Sequence, residues 1–201
     1  MSDTSKLVAL IFQEAGEGGV YGPRAVQSQG AAVAIAEPYL AMAALDEIEQ
    51  KAKTAGVEIK DAVIVFKTGE GRIKIQQTKD MTSGKGARRG GFWGLLVGLI
   101  LGGPLFGALA GLGLGAIAGR RIDHGLSDDF ISQVSRSLKP STSALLVLID
   151  QEHAVKAIAY LKSFEVEMHV ADISPEAEEA LDQAAEDETI AQAVQAEFGA
   201  E

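Results

Sequence analysis

Glu165, Glu167 and His169 alternate along a strand-like stretch, and residues two apart leave a strand on the same side. Two carboxylates and an imidazole so placed could hold a divalent metal. They equally form the wet side of an edge strand whose other side is Val166, Met168 and Val170. Gly113-Leu-Gly115-Ala-Ile-Ala-Gly119 has the outline of a dinucleotide loop. Such a loop needs a strand before it and an acid about twenty residues beyond it, whereas more glycine-spaced apolar sequence precedes this one. His124 follows Asp123 beside an arginine pair, where an imidazole could sense pH or headgroups, or be an ordinary loop residue. His153 reads as a solvated helix-start residue, and Asp128-Asp129 as acids in a first helical turn. With no cysteine, thiol nucleophiles, disulfides and thiolate metal sites are excluded. No serine stands in a nucleophile-elbow motif. The chain is therefore expected to be non-enzymatic, with no catalytic residue, no cofactor and no resident metal.

Charge is distributed unevenly. Residues 1–80 carry −2, residues 81–125 carry +4, residues 126–173 carry −3 and residues 174–201 carry −9. The one basic segment thus surrounds the most apolar one, a pattern that suits anionic lipid, while the acidic remainder argues against nucleic acid. Met1 to Lys6 shows no basic and apolar leader pattern, so the default address is the cytoplasm.

The elements that would position these groups follow from periodicity. Lys6–Phe12, Asp61–Lys67 and Ala144–Ile149 are apolar runs of strand length, expected to be buried on both faces. Arg72–Gln77 alternates as a strand with one wet face, joined to its predecessor by a turn at Thr68-Gly-Glu-Gly71. Residues 14–30 read as loop. A helix is predicted over 31–55, its surer part 38–55, with Leu40, Ala44, Leu45, Ile48 and Ala52 on one face and Gly56 as the stop. Further helices are predicted from Ser127 to near Pro140, over 152–163 and from Ser174 onward, with a strand at 166–170 between the last two. The order β-α-β-β-α-β, followed by an added α-β and a tail helix, predicts an α+β domain with a ferredoxin-like antiparallel sheet and helices on one face. Its two parts, 1–85 and 122–173, flank an insertion at 86–121, and an acidic C-terminal helix or tail fills 174–201.

The insertion holds thirty uncharged residues, 90–119, between Arg88-Arg89 and Arg120-Arg121. Gly86, Gly90, Gly94, Gly98 and Gly102 form one series at a spacing of four. Gly103, Gly107, Gly111, Gly115 and Gly119 form a second, and the two meet at Gly102-Gly103-Pro104. That spacing places each series on one stripe of a helix, so the segment reads as a glycine-zipper helical hairpin whose arms approach closely. Glycine costs roughly 1 kcal/mol against alanine inside a helix, so the glycines must be offset by packing. The leucine-rich exterior also needs cover. Lipid would supply it with Arg88, Arg89, Phe92, Trp93, Arg120 and Arg121 at the membrane interface. A soluble ring or cage would supply it with hairpins from several copies bundled in its core, with room for an apolar ligand.

Here the chain resembles a bacterial family, domain of unknown function 1269, usually described as predicted membrane proteins. The resemblance rests on Lys60-Asp-Ala-Val-Ile-Val-Phe-Lys67, Gly71-Arg-Ile-Lys74 and Gly86-Ala-Arg-Arg-Gly-Gly-Phe-Trp-Gly94 with the Gly-Gly-Pro104 break. It continues in Ile122-Asp-His-Gly-Leu-Ser-Asp-Asp-Phe-Ile131 and Lys139-Pro-Ser-Thr-Ser-Ala-Leu145, spanning about residues 5–172. It implies membrane association and supplies no activity. The expectation is a self-associating protein anchored by the hairpin at the cytoplasmic face of the inner membrane, with anionic lipid and further copies of itself as partners. The alternatives are the soluble homo-oligomer and a ligand-sensing regulatory domain.

Overall fold

The computed structural model describes residues 4–13, 39–77, 86–102 and 126–198. Its sheet comprises β1 (Ser5–Gln13), β2 (Ile59–Lys67), β3 (Ile73–Gln77), β4 (Thr142–Asp150) and β5 (Glu167–Ile173). The order is β3-β2-β4-β1-β5, with every neighbouring pair antiparallel. Helices α1 (Tyr39–Ala55) and α4 (Gln151–Leu161) are the connections β1-to-β2 and β4-to-β5. These two interleaved units make the sheet ferredoxin-like. Helices α2 (Gly86–Leu101) and α3 (Asp128–Ser137) lie with β3 in the connection from β2 to β4. Two tail helices, α5 (Pro175–Ala185) and α6 (Glu188–Phe198), follow β5.

Two details of the expected sheet are corrected. The strand at 72–77 is an added edge, and the 144–149 run belongs at the centre of the ferredoxin-like core. The physical reason is burial. β4 is apolar and covered on both sides, whereas Lys74 and Gln76 of β3 are exposed. Helices also pack on both faces, not one. Val8, Leu10, Ile64, Val147 and Ile149 meet α1 and α4, while Leu7, Ala9, Val63, Leu146 and Leu148 meet α2, α3, α5 and α6.

A β-bulge in β2 falls between Ile59 and Asp61 against β4. The extra residue, Lys60, changes the side-chain parity of the strand. Ile59 therefore joins Ala62 and Ile64 on the α1/α4 face. Asp61 accepts a hydrogen bond at 2.9 Å from Nε1 of Trp93, which is packed on the opposite face. Lys60 Nζ pairs with Glu178 of α5 at 2.6 Å and Asp150 at 3.5 Å, and donates to Ser5 Oγ at 3.3 Å. Two salt-bridge partners raise its pKa against the opposing effect of burial.

Helix α2 overturns the membrane expectation. Among the described residues no helix is long and apolar enough to cross a membrane. Phe92 and Trp93, expected at a lipid interface, are 0% and 1% exposed and pack edge to face, with ring centroids 5.4 Å apart. Leu95, Leu96, Val97 and Ile100 are also buried, in the same cluster as Ala177, Leu181, Ala185, Val194 and Phe198 of the tail. The apolar helix is thus covered by the sheet and by the chain's own acidic end, and the expected anchor, lipid partner and inner-membrane address are withdrawn. The tail comprises two packed helices. Ser174 caps α5 through Ala177 N at 3.2 Å, and Asp187 caps α6 through Thr189 N at 2.9 Å.

Close helix packing explains glycines in α2. A Cβ on Gly91 would lie 2.7 Å from Ala185 Cβ and 3.0 Å from the Ala185 carbonyl oxygen, and one on Gly94 would lie 2.1 Å from Val194 Cγ1. Gly102 ends the helix at φ +64°, where glycine alone is unstrained, and its N–H reaches Gly98 O at 2.9 Å. The backbone of Gly86 and Gly90 lies in α2 and Gly98 is buried there. Gly103, Gly107, Gly111, Gly115, Gly119, Arg120, Arg121 and His124 lie outside the described residues, as do the side chains of Arg88 and Arg89.

Gly91→Ala tests this packing. Alanine is the better helix former by roughly 1 kcal/mol, yet its methyl meets backbone that cannot rotate away. The substitution is expected to lower stability by about 1–3 kcal/mol in urea unfolding. An increase in stability would contradict the close approach of α2 and α5.

Candidate ligand pocket between the two crossover helices

Helix α1 buries Ala41, Ala44, Leu45 and Ile48, and α4 buries Ala154, Ala157 and Leu161. Small residues at Ala52 and Ala157 leave the space between the helices unfilled at one end of the sheet. A cavity of about 220 Å³ results, floored by Ile59 and Ile149 and walled by Ile48, Ala52, Ala157 and Leu161. The bulge at Lys60 sets this floor, since without it Ile59 would turn to the other face. Lys51, Thr54, Val57, Lys156 and Tyr160 form the mouth.

The mouth is more polar than the interior, but two of its groups are already bonded. Thr54 Oγ1 donates to Gln50 O at 3.0 Å. Tyr160 donates its hydroxyl to Glu47 Oε1 at 3.1 Å and packs edge to face on Phe164, with centroids 5.6 Å apart. Burial first, then the adjacent Glu47 carboxylate, pushes the Tyr160 hydroxyl up to about 12. Lys51 and Lys156 are exposed and make no ion pair within the described residues.

A second polar cluster ties α3 to β5. His169 Nε2 lies 2.9 Å from Glu167 Oε1 and 3.4 Å from Ser137 Oγ, and its Nδ1 lies 2.9 Å from Gln133 Oε1. Ser137 donates to Glu167. That bond holds the Glu167 carboxyl below its usual range, with His169 adding to the effect against burial. Glu165 does not join the pair. It precedes β5 in a left-handed conformation, φ 53°, at the end of a 3-10 turn, Lys162–Phe164. Among the described residues no three His, Cys, Asp or Glu side chains come together for a metal. His153 Nε2 contacts Glu152 Oε1 at 3.3 Å. Asp128 and Asp129 occupy the first turn of α3 behind the Ser127 cap, and the loop-like 113–119 glycines lie outside the described residues.

Sequence periodicity placed Ile48 and Ala52 on one helix face. It could not place Ala157 opposite them, nor give Lys51, Lys156 and Tyr160 a role, because the gap depends on the distance between two helices. Alanines at facing positions were the only signal.

The family described as protein of unknown function (DUF1269) matches residues 87–186, just under half of the chain, and no curated protein or solved structure matches it. The similarity begins at α2 and runs through the whole of α5, not over 5–172 as the resemblance implied. The chain is thus distantly similar to that family. The membrane description usual for the family is not carried over, because α2 is buried within the domain.

The raised Tyr160 pKa fixes a sign. The fold favours the protonated phenol, so the stability contributed by this group is complete below the unfolded value near 10 and is lost as pH rises through about 12. Absorbance titration should show a phenol ionising near pH 12 that disappears in Tyr160→Phe. If Tyr160→Phe removes a phenol that ionises at about pH 10 instead, the Tyr160 hydroxyl is in open solvent.

Proposed function

We propose that this chain is a non-enzymatic, self-associating domain that takes an apolar small molecule into the pocket between α1 and α4. The observation that carries this is the cavity itself, set on the ferredoxin-like sheet with Ile59 and Ile149 as its floor. Concave, largely apolar cavities with a few polar groups at the mouth are the usual form of a small-molecule site.

A second observation favours a binding role over catalysis. The Ser137 hydroxyl donates a hydrogen bond to Glu167, and the far nitrogen of His169 faces the Gln133 amide instead of a carboxylate. A serine nucleophile needs the imidazole as base and an acid behind it. Support for self-association comes from the sequence that continues beyond α2. Residues 104–119 are uncharged with glycine at every fourth place. So apolar a stretch needs cover, and a second copy of this chain would supply it.

The pocket is tested with a neutral probe. Octanol should raise the melting temperature of the full chain, and Ala52→Phe, which fills the mouth side of the cavity, should abolish that rise without lowering the baseline. A rise of equal size in Ala52→Phe would place the binding elsewhere. For assembly, detergent-free sedimentation should give a high-mass species that Gly111→Leu reduces to smaller ones. A monomer in both would remove self-association from the account.

A further inference from the structure

From the chemistry of the pocket mouth we infer that the ligand is an amphiphile with a single negative charge, a free medium-chain carboxylic acid. This rests on the pocket proposed above and names the class of molecule it takes. The interior, at about 220 Å³, holds only a short tail. Taking roughly 30 Å³ per water-sized group, it fits about seven methylenes. No polar side chain enters the floor, since Ile59 and Ile149 are apolar, so a polar head must stay at the mouth.

Four polar side chains stand near that mouth. Thr54 is bonded to Gln50 O, and the Tyr160 hydroxyl is given to Glu47, whose carboxylate is thereby held on the tyrosine. The remaining two are Lys51 on α1 and Lys156 on α4, one from each wall. Neither makes an ion pair within the described residues, although the chain carries a net charge of −10. With the Glu47 carboxylate engaged by Tyr160, two lysines that make no ion pair among the described residues flank one apolar opening and favour an anionic head over a cationic one. Their long stems can lie along the tail while the ammonium groups stay wet.

The test compares octanoate, octanol and octylammonium on the full chain by isothermal titration at low and high salt. Octanoate should bind most tightly and octylammonium least, and the advantage of octanoate over octanol should shrink with salt. In Lys51→Gln with Lys156→Gln, octanoate should weaken about fivefold while octanol is unchanged, as expected for two exposed charge contacts. If octanol binds in the pocket and octanoate has no advantage, or the double variant leaves octanoate unaffected, the anionic ligand is wrong and the pocket stands. If neither compound binds, both proposals fail together.

Discussion

Helix α2 must be kept from water, and the rest of the molecule is arranged around that constraint. It carries no charge from Gly90 to its end, it places Phe92, Trp93, Leu96 and Val97 in the core, and glycines allow neighbours within contact of its backbone. The acidic tail is the partner. Glu176, Glu179, Glu186 and Glu188 lie on its exposed surface, Glu178 turns in to Lys60, and its inner surface presents Ala177, Leu181, Ala185, Val194 and Phe198 to α2. A segment with nine acids and no base therefore acts as the cover of the most apolar helix described. Exposed ion pairs are worth at most about 1 kcal/mol and contribute little beside this burial, whereas the half-buried Lys60–Glu178 pair is a specific tie between the tail and the sheet.

One bulge couples the two sides of the sheet. Lys60 occupies the extra position in β2 and ties the strand to α5 through Glu178. Its neighbours then point oppositely, Ile59 to the floor of the α1/α4 pocket and Asp61 to Trp93 of α2. The same backbone irregularity thus anchors the covered helix and shapes the candidate site. Only one of the two Glu178 carboxylate oxygens is bonded to Lys60, and the other is buried without a hydrogen-bond partner. That arrangement makes the α5 contact depend closely on the lysine.

Much of this fold was legible from residue pattern. The continuous apolar runs at 6–12, 61–67 and 144–149 are central strands because nothing polar interrupts either face, and Ser174-Pro175-Glu176 opens a helix as its cap chemistry requires. Gly94 of the first glycine series meets Val194 of the tail, but a spacing does not name the surface it packs against. Lipid, a second copy and a distant part of the same chain satisfy it equally. The tail is expected as an acidic helix and is helical, but its alanines and acids do not name what it covers, and Gly91, outside either glycine series, is the residue that receives Ala185. The added edge strand, the sheet order and the pocket all depend on pairings between distant segments. The bulge at Lys60 leaves no composition signal.

Trp93 is the chain's one tryptophan, so its fluorescence reports directly on α2. In detergent-free protein with vesicles of brominated anionic lipid, the account predicts blue-shifted emission that resists acrylamide and is untouched by bromine. Quenching by the brominated acyl chains would put α2 in lipid, and free quenching by acrylamide would leave it uncovered. Either result would contradict a helix buried between its own sheet and tail.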